Sequence, residues 1–337
     1  MKMTTIYDIA KKTGFSITTV SKVLNNYTDV SDKTRKIINE AVSELGYFPS
    51  SSARTLSTKK SWSIGVVYVE ESGIGIEHPF FNAVIESLKK SIEDRGYDLL
   101  FASKKIGTET KTYLDHFQYR GVDGVVVVCS IIDDPDVQML INSDIPTVVI
   151  DLDLRGSSVV YSDNEYGSEL AVNHLHSLGH RKIAHIAGHE DLYVGVQRKT
   201  GFISAMKKNN LPLKDEYLEN GGYFTFEGGQ EAMNRLLKLP EPPTAVYVAG
   251  DLMALGAIAE IRKNGLSVPE DISVVGFDDI RMARYTTPAL TTIRQDTVHI
   301  GRTSANLLLD QINDKKKQFM SVKIPVTLIK RDSCGPV

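Results

Sequence analysis

Four side chains stand where a small polar ligand could be held. Asp151 follows the apolar run Val148-Val149-Ile150, and Asp278 follows Val274-Val275-Gly276-Phe277. Arg198 opens a helical stretch after the loop that carries His189, and Tyr223 sits beside the Gly221-Gly222 turn. Two carboxylates and a guanidinium can bond neighbouring hydroxyls in pairs, while an aromatic ring covers the apolar C–H face of a sugar-like molecule. The plainer alternative is that Asp151 and Asp278 only cap the helices after them.

A second group lies near the N-terminus. Ile17, Thr18, Ser21 and Lys22 share the outward face of a short helix whose Val20, Val23 and Leu24 point inward. Hydroxyls and an ammonium can reach base edges in a DNA major groove, and an exposed isoleucine at a helix start suits a thymine methyl. A generic three-helix bundle is the competing reading.

Other chemistries find no footing. His174, His176, His180, His185 and His189 crowd one stretch, but His174 and His176 are two apart on a helix, His180 lies past Gly179, and His185 lies inside a strand. No cysteine or carboxylate joins them at metal-ligand spacing, so no metal or other cofactor is expected. Cys129 and Cys334 are too few and too far apart for a zinc site or a disulfide scaffold. No G-x-S-x-G elbow and no phosphate loop is present, so an enzyme is not expected.

The elements that must position these groups fall into two parts. Residues 1–61 hold ten lysines and arginines against five acids, a net +5, whereas the whole 337-residue chain carries −3. A basic head on an acidic body suits a polyanionic partner for the head. Three helices are predicted in the head, starting at Thr5, Ser16 and after Ser31, with a tight Gly14-Phe15-Ser16 turn between the first two. That is the helix-turn-helix pattern. Ile37, Ile38, Ala41, Val42 and Leu45 are predicted to form the buried stripe of the third helix, which Gly46 ends.

After residue 61 strands and helices alternate. Strands are predicted at 63–69, 97–102, 122–129, 147–150, 183–187, 244–248, 273–277 and 322–329. Helices are predicted at 81–95, 109–119, 135–142, 165–178, 201–208, 228–238, 253–263 and 297–312. The fold class is α/β: an all-α head on a body of two parallel-sheet lobes flanked by helices, with a cleft at the carboxyl ends of both sheets. Hydrophobic residues make up 42% and charged residues 24%, an ordinary globular balance. The apolar runs are of strand length, so neither a membrane span nor a signal peptide is expected, and a cytoplasmic location fits.

The motifs resemble the lactose-repressor family of bacterial transcription regulators over essentially the whole chain. In the head these are Thr5-Ile6-Tyr7-Asp8-Ile9-Ala10, Thr19-Val20-Ser21-Lys22-Val23-Leu24-Asn25, Gly46-Tyr47-Phe48-Pro49 and Ala53-Arg54-Thr55-Leu56. In the body they are His78-Pro79-Phe80-Phe81, Leu178-Gly179-His180-Arg181, Arg198-Lys199-Thr200-Gly201-Phe202, Asp251-Leu252-Met253-Ala254 and Val275-Gly276-Phe277-Asp278-Asp279. The resemblance implies a DNA-binding domain over 1–49, a hinge helix and linker over 50–61, and an effector-binding and dimerisation domain over 62–337. It implies lobe 1 at about 62–161 and 291–321 and lobe 2 at about 162–290 and 322–337, with crossings near Tyr161, Leu290 and Ser321.

The resemblance also implies roles. Ile17, Thr18 and Lys22 would read bases, where many members have arginine at the position of Lys22. Thr5, Tyr7, Ser16, Thr19, Ser21 and Asn25 would hold phosphates. Ala53, Arg54 and Leu56 would enter the minor groove, with Leu56 as a wedge that kinks the duplex. Asp151, Arg198, Tyr223 and Asp278 would contact the effector, and Phe80 and Phe81 would form an aromatic wall. Val128 and Gly250 stand where some sugar-binding members carry asparagine. The expected partners are a palindromic double-stranded operator, a sugar or sugar-derived effector and a second copy of the chain. The tail after the last strand is too short for the heptad helix of tetrameric relatives, so a homodimer is expected. A purine-type corepressor is the alternative effector. A solute-binding protein without DNA function is the rival from another class.

Overall fold

A computed structural model of the protein describes residues 4–25, 27–48, 60–68, 75–152, 156–314 and 318–337. The expectations placed on Ala53, Arg54 and Leu56 lie outside the described residues. The chain divides into two compact units, Met1–Trp62 and Ser63–Val337.

In the first unit, α1 (Ile6–Thr13), α2 (Ile17–Leu24) and α3 (Asp32–Glu44) close around Ile9, Val20, Val23, Ile38 and Ala41. Each helix starts where its sequence supplies acceptors for free N–H groups. Asp8 accepts from the Thr5 backbone N–H at 2.8 Å, the Ser16 hydroxyl accepts from Thr19 N at 3.1 Å, and Ser31 accepts from Thr34 N at 3.3 Å. Gly14 ends α1 in the left-handed region at φ 73°, open to glycine without strain. Ile37 departs from the predicted stripe. It is 38% exposed, because Ile38 and Ala41 already fill the face that meets α1 and α2.

The second unit holds two six-stranded sheets. The first has the order β13-β7-β6-β5-β1-β2 and is parallel throughout. Its strands are β1 (Ser63–Tyr68), β2 (Asp98–Phe101), β5 (Gly124–Cys129), β6 (Thr147–Ile150), β7 (Ser158–Ser162) and β13 (Ser321–Ile324). The second has the order β14-β12-β11-β10-β8-β9, with only β14 antiparallel to its neighbour. Its strands are β8 (Ile183–Ala187), β9 (Leu218–Asn220), β10 (Ala245–Val248), β11 (Ser273–Asp278), β12 (Thr291–Gln295) and β14 (Val326–Ile329). Strands such as β5 and β10 are apolar on both faces, as parallel strands covered by helices must be.

Helices α4 (Pro79–Glu93), α5 (Tyr113–Arg120), α6 (Pro135–Ile141) and α11 (Thr297–Asn313) belong to the first lobe. Helices α7 (Asn164–Ser177), α8 (Tyr193–Lys208), α9 (Phe226–Leu237) and α10 (Asp251–Lys263) cover the second. α9 and α10 cross closely because Gly256 has no side chain: a Cβ there would stand 1.9 Å from the Phe226 carbonyl oxygen.

The chain passes between lobes at residues 162–164, 295–297 and 324–326. The last two differ from the crossings expected near Leu290 and Ser321. Thr291-Thr292-Ile293 is β-branched and buried, so it extends the second sheet before the chain leaves it. The predicted single strand over 322–329 is two strands, one in each sheet, parted at Pro325, which has no N–H for a ladder. Helix α5 starts at Tyr113 instead of 109. Thr112 and Asp115 form the capping box, and residues 105–110 fold into a small hairpin of β3 (Lys105–Ile106) and β4 (Glu109–Thr110). Among the described residues no helix is long and apolar enough to cross a membrane.

Candidate functional site: a recognition helix and an interlobe cleft

On α2 of the head, Ile17 is 41% exposed while Val20 and Val23 are sealed, so the outward face predicted from spacing is the outward face of the fold. Thr18 is exposed beside Ile17, and Thr5, Tyr7 and Ser16 are exposed around it. Thr19, Ser21, Lys22 and Asn25 are half-buried. Two contacts were not legible in the sequence. Lys22 Nζ is ion-paired with Asp29, which lowers the Asp29 carboxyl below its usual range. The Asn25 amide donates to the Ser21 carbonyl oxygen at 2.9 Å and closes the end of its own helix.

In the body, all six residues expected at an effector site line one cleft: Phe80, Phe81, Asp151, Arg198, Tyr223 and Asp278. Phe80 and Phe81 come from the first turn of α4, where Pro79 pre-sets the helix start. Asp151 follows β6 at φ 53° and accepts from Ser162 N at 3.3 Å. Asp278 ends β11 at φ 117°. Its Oδ1 accepts from Gln295 Nε2 at 2.7 Å and from Arg198 Nη1 at 3.5 Å. Arg198 is 3% exposed; its Nε donates to Asn164 Oδ1 at 2.9 Å and its Nη1 to the Ala249 carbonyl oxygen at 2.6 Å. The guanidinium lies 3.8 Å from the Phe277 ring centre. These fixed partners satisfy a buried charge that would otherwise be costly. Burial lifts the carboxyls of Asp151 and Asp278 to about 6 each, and Arg198 pulls both the other way.

The second lobe supplies an aromatic pair. Tyr223 stacks on His189 at 4.2 Å and donates to Asp191 Oδ2 at 3.4 Å. Phe224, which the sequence reading missed, sits at φ 61° against Gly188 and Gly250. A Cβ at Gly250 would stand 2.8 Å from the Phe224 ring, so glycine at this position is the seat of that ring. His78, Cys129, Ser130 and Tyr193 also line the cleft and were not foreseen. His78 is 5% exposed, packs 5.0 Å from Phe81, and is held neutral by burial beside Arg198, with its pKa lowered to about 4. With these side chains in place the cleft encloses about 50 Å3. That is well under the roughly 300 Å3 at which small-molecule sites begin, so a ligand enters only as the lobes part or the aromatic rings swing.

The histidines of the crowded stretch serve packing. His185 is sandwiched between Phe202 and Tyr247, and its Nδ1 donates to the Tyr247 carbonyl oxygen at 3.0 Å. His180 bridges Thr244 and Ser273, and His176 meets Asn209. Among the described residues no three His, Cys, Asp or Glu side chains gather as a metal site.

A helix-turn-helix unit on a two-lobed body with a polar and aromatic cleft between its sheets is the architecture of a DNA-binding regulator. Residues 5–50 match the model for bacterial regulatory proteins of the lacI family, and residues 172–334 match a periplasmic binding protein-like domain. The HTH-type transcriptional repressor PurR of Erwinia tasmaniensis is 39% identical over 98% of this chain and 97% of that protein. The lac repressor dimer bound to operator and the anti-inducer ONPF superposes with a TM-score of 0.86 at 29% identity, covering 98% and 99% of the two chains. A CelR–cellobiose complex does so with 0.73 at 29% identity over the same shares. The chain belongs to the lacI family and is a DNA-binding transcriptional repressor, a regulator and not an enzyme.

Proposed function

We propose that the protein binds a palindromic operator as a homodimer in the cytoplasm and that a sugar or sugar derivative in the interlobe cleft controls its operator affinity. Ile17, Thr18 and Lys22 read bases, and Thr5, Tyr7, Ser16, Thr19, Ser21 and Asn25 hold the backbone. Residues 50–61 form the hinge, where Ala53, Arg54 and Leu56 enter the minor groove. The observation that carries the effector reading is the convergence of Asp151, Asp278 and Arg198 between aromatic rings from both lobes. The carboxylates accept from ring hydroxyls, the guanidinium donates, and Phe81 and Tyr223 cover the C–H faces.

A ligand enters as the lobes part or the aromatic rings swing, and a ligand bridging both lobes favours one arrangement of them. The effector therefore shifts a population of lobe orientations, and the two copies in a dimer transmit that shift to the spacing of their heads. A second reading is a purine-type corepressor, because relatives 39% and 38% identical over 98% of this chain are repressors named PurR. Aromatic rings that line the cleft would also suit a planar base. The deciding experiment is calorimetry of the full chain against mono- and disaccharides, sugar phosphates, hypoxanthine and guanine. Saturable binding of a saccharide, abolished by Arg198→Ala, supports the sugar reading; binding of purines alone replaces it with the second.

A further inference from the structure

Behind the effector cleft lies a larger cavity, of about 860 Å3, beside the crossings at 295–297 and 324–326. Asp278 and Phe80 line both spaces, so the two stand back to back. The second cavity has a different chemistry, because Arg281, Arg284 and Arg294 line it. The carboxylate that serves this group is Asp279, whose side chain is 1% exposed. Arg294 Nε lies 2.7 Å from it, Arg331 Nη2 2.5 Å and Arg284 Nη2 3.7 Å.

One carboxylate shared by three guanidiniums leaves positive charge unmatched, and Arg281 adds a fourth cation with no acidic partner among the described residues. The other acids at the cavity are Glu77 on its rim, Asp278, which is paired with Arg198, and Asp296, whose Oδ1 accepts from His299 N at 2.8 Å. The side chains of Arg284 and Arg294 line the cavity and are 53% and 45% exposed, so both guanidiniums remain accessible to a ligand. Gln295 adds a neutral signal. It is 3% exposed, its amide nitrogen donates to Asp278, and its Oε1 has no partner among the described residues.

We propose that this cavity is a second ligand site, for a small organic polyanion that carries hydroxyls, whether a phosphate ester or a hydroxy-polycarboxylate. Planar guanidiniums are the groups that bond phosphate or carboxylate oxygens in pairs. The position gives the site a route to the cleft. Asp278 and Asp279 are adjacent non-glycine residues at φ 117° and 55°, a pair of uncommon conformations. They are held from the cleft side by Arg198 and Gln295, from the cavity side by the arginines, and at Ile280 N by Asp251 Oδ2 at 2.8 Å. An anion that draws Arg284 and Arg294 away from Asp279 loosens the loop that sets Asp278. That coupling rests on the effector reading above; the anion site does not.

The test is calorimetry of the full chain with inorganic pyrophosphate and, separately, citrate, in wild type and in an Arg281→Gln/Arg284→Gln variant. Lys22→Ala and Tyr223→Ala serve as controls for the basic head and for the cleft. The expected result is saturable binding of at least one anion, weakened at least tenfold in the double variant and unchanged in both controls; which anion binds identifies the source. An unchanged melting curve of the double variant shows that it is folded. No binding of either anion, equal binding by the double variant, or loss in a control instead overturns the proposal. Failure of the sugar screen leaves this outcome untouched.

Discussion

Arg198 Nη1 stands 3.5 Å from Asp278 Oδ1, and each side chain is more than nine-tenths shielded from water. The arginine is a strut of the cleft, because it donates to Asn164 and to the Ala249 carbonyl oxygen. Removing it takes the donor from two buried acceptors and leaves the buried Asp278 carboxylate with Gln295 alone. Arg198→Ala should cost about 3–5 kcal/mol in urea unfolding and abolish the effector response. Arg198→Lys should recover part of the stability without the paired hydrogen bonds.

Asp151→Asn should gain stability over wild type as pH rises. The Asp151 carboxyl is raised to about 6 from 3.8. A group raised on folding favours the folded state below its unfolded value, and that advantage is lost as pH rises through about 6. The variant has no such loss. Its melting temperature should exceed that of wild type at pH 8 and match it near pH 4, as read by scanning calorimetry at both values.

His185 works in the other direction. Burial between two rings lowers its pKa to about 3. Its neutral form supports folding fully above about 6.5, and the support is lost as pH falls from there through about 3. His185→Phe keeps the stack and has no proton to gain. Its melting temperature should fall less than that of wild type between pH 7 and pH 4.

The seat of Phe224 gives a steric prediction. Gly250→Asn places a side chain where the ring now lies. It should cost about 1–3 kcal/mol and change which ligands the cleft admits, which the same calorimetric screen detects.

Much of the candidate cleft was legible in the sequence, for a physical reason. Asp151 and Asp278 each end a run of apolar residues, and in a parallel sheet the carboxyl ends of such runs meet at the cleft. Arg198 and Tyr223 sit beside loops of the same rim. Phe224 and Asn164 carried no local signal, because their importance comes from neighbours far away in sequence: Gly250 for Phe224, Arg198 for Asn164. The start of α8 was also missed, since Leu192 supplies no side-chain cap and Gly195 interrupts the pattern. β12 was hidden inside a stretch read as a crossing. In the head, the periodicity of α2 exposed its outward face, but not the pairing of Lys22 with Asp29 across a turn.

That pairing bears on DNA binding. In the proposed reading Lys22 leaves Asp29 to reach a base, so Asp29→Asn should raise affinity for both specific and random DNA, most strongly at low salt. Titrations at 50 and 200 mM salt check this, with wild-type affinity expected to fall steeply between them.

The most direct test of separate reading and sensing is a crossed measurement on a DNA site selected from random sequences by the wild-type chain. Lys22→Ala and Arg198→Ala are compared for affinity to that site, with and without the ligand found in the screen. Lys22→Ala should lose site preference and keep ligand binding, while Arg198→Ala should keep the site and lose the response to ligand. If Arg198→Ala still responds to ligand, or Lys22→Ala still prefers the selected site, the account is contradicted.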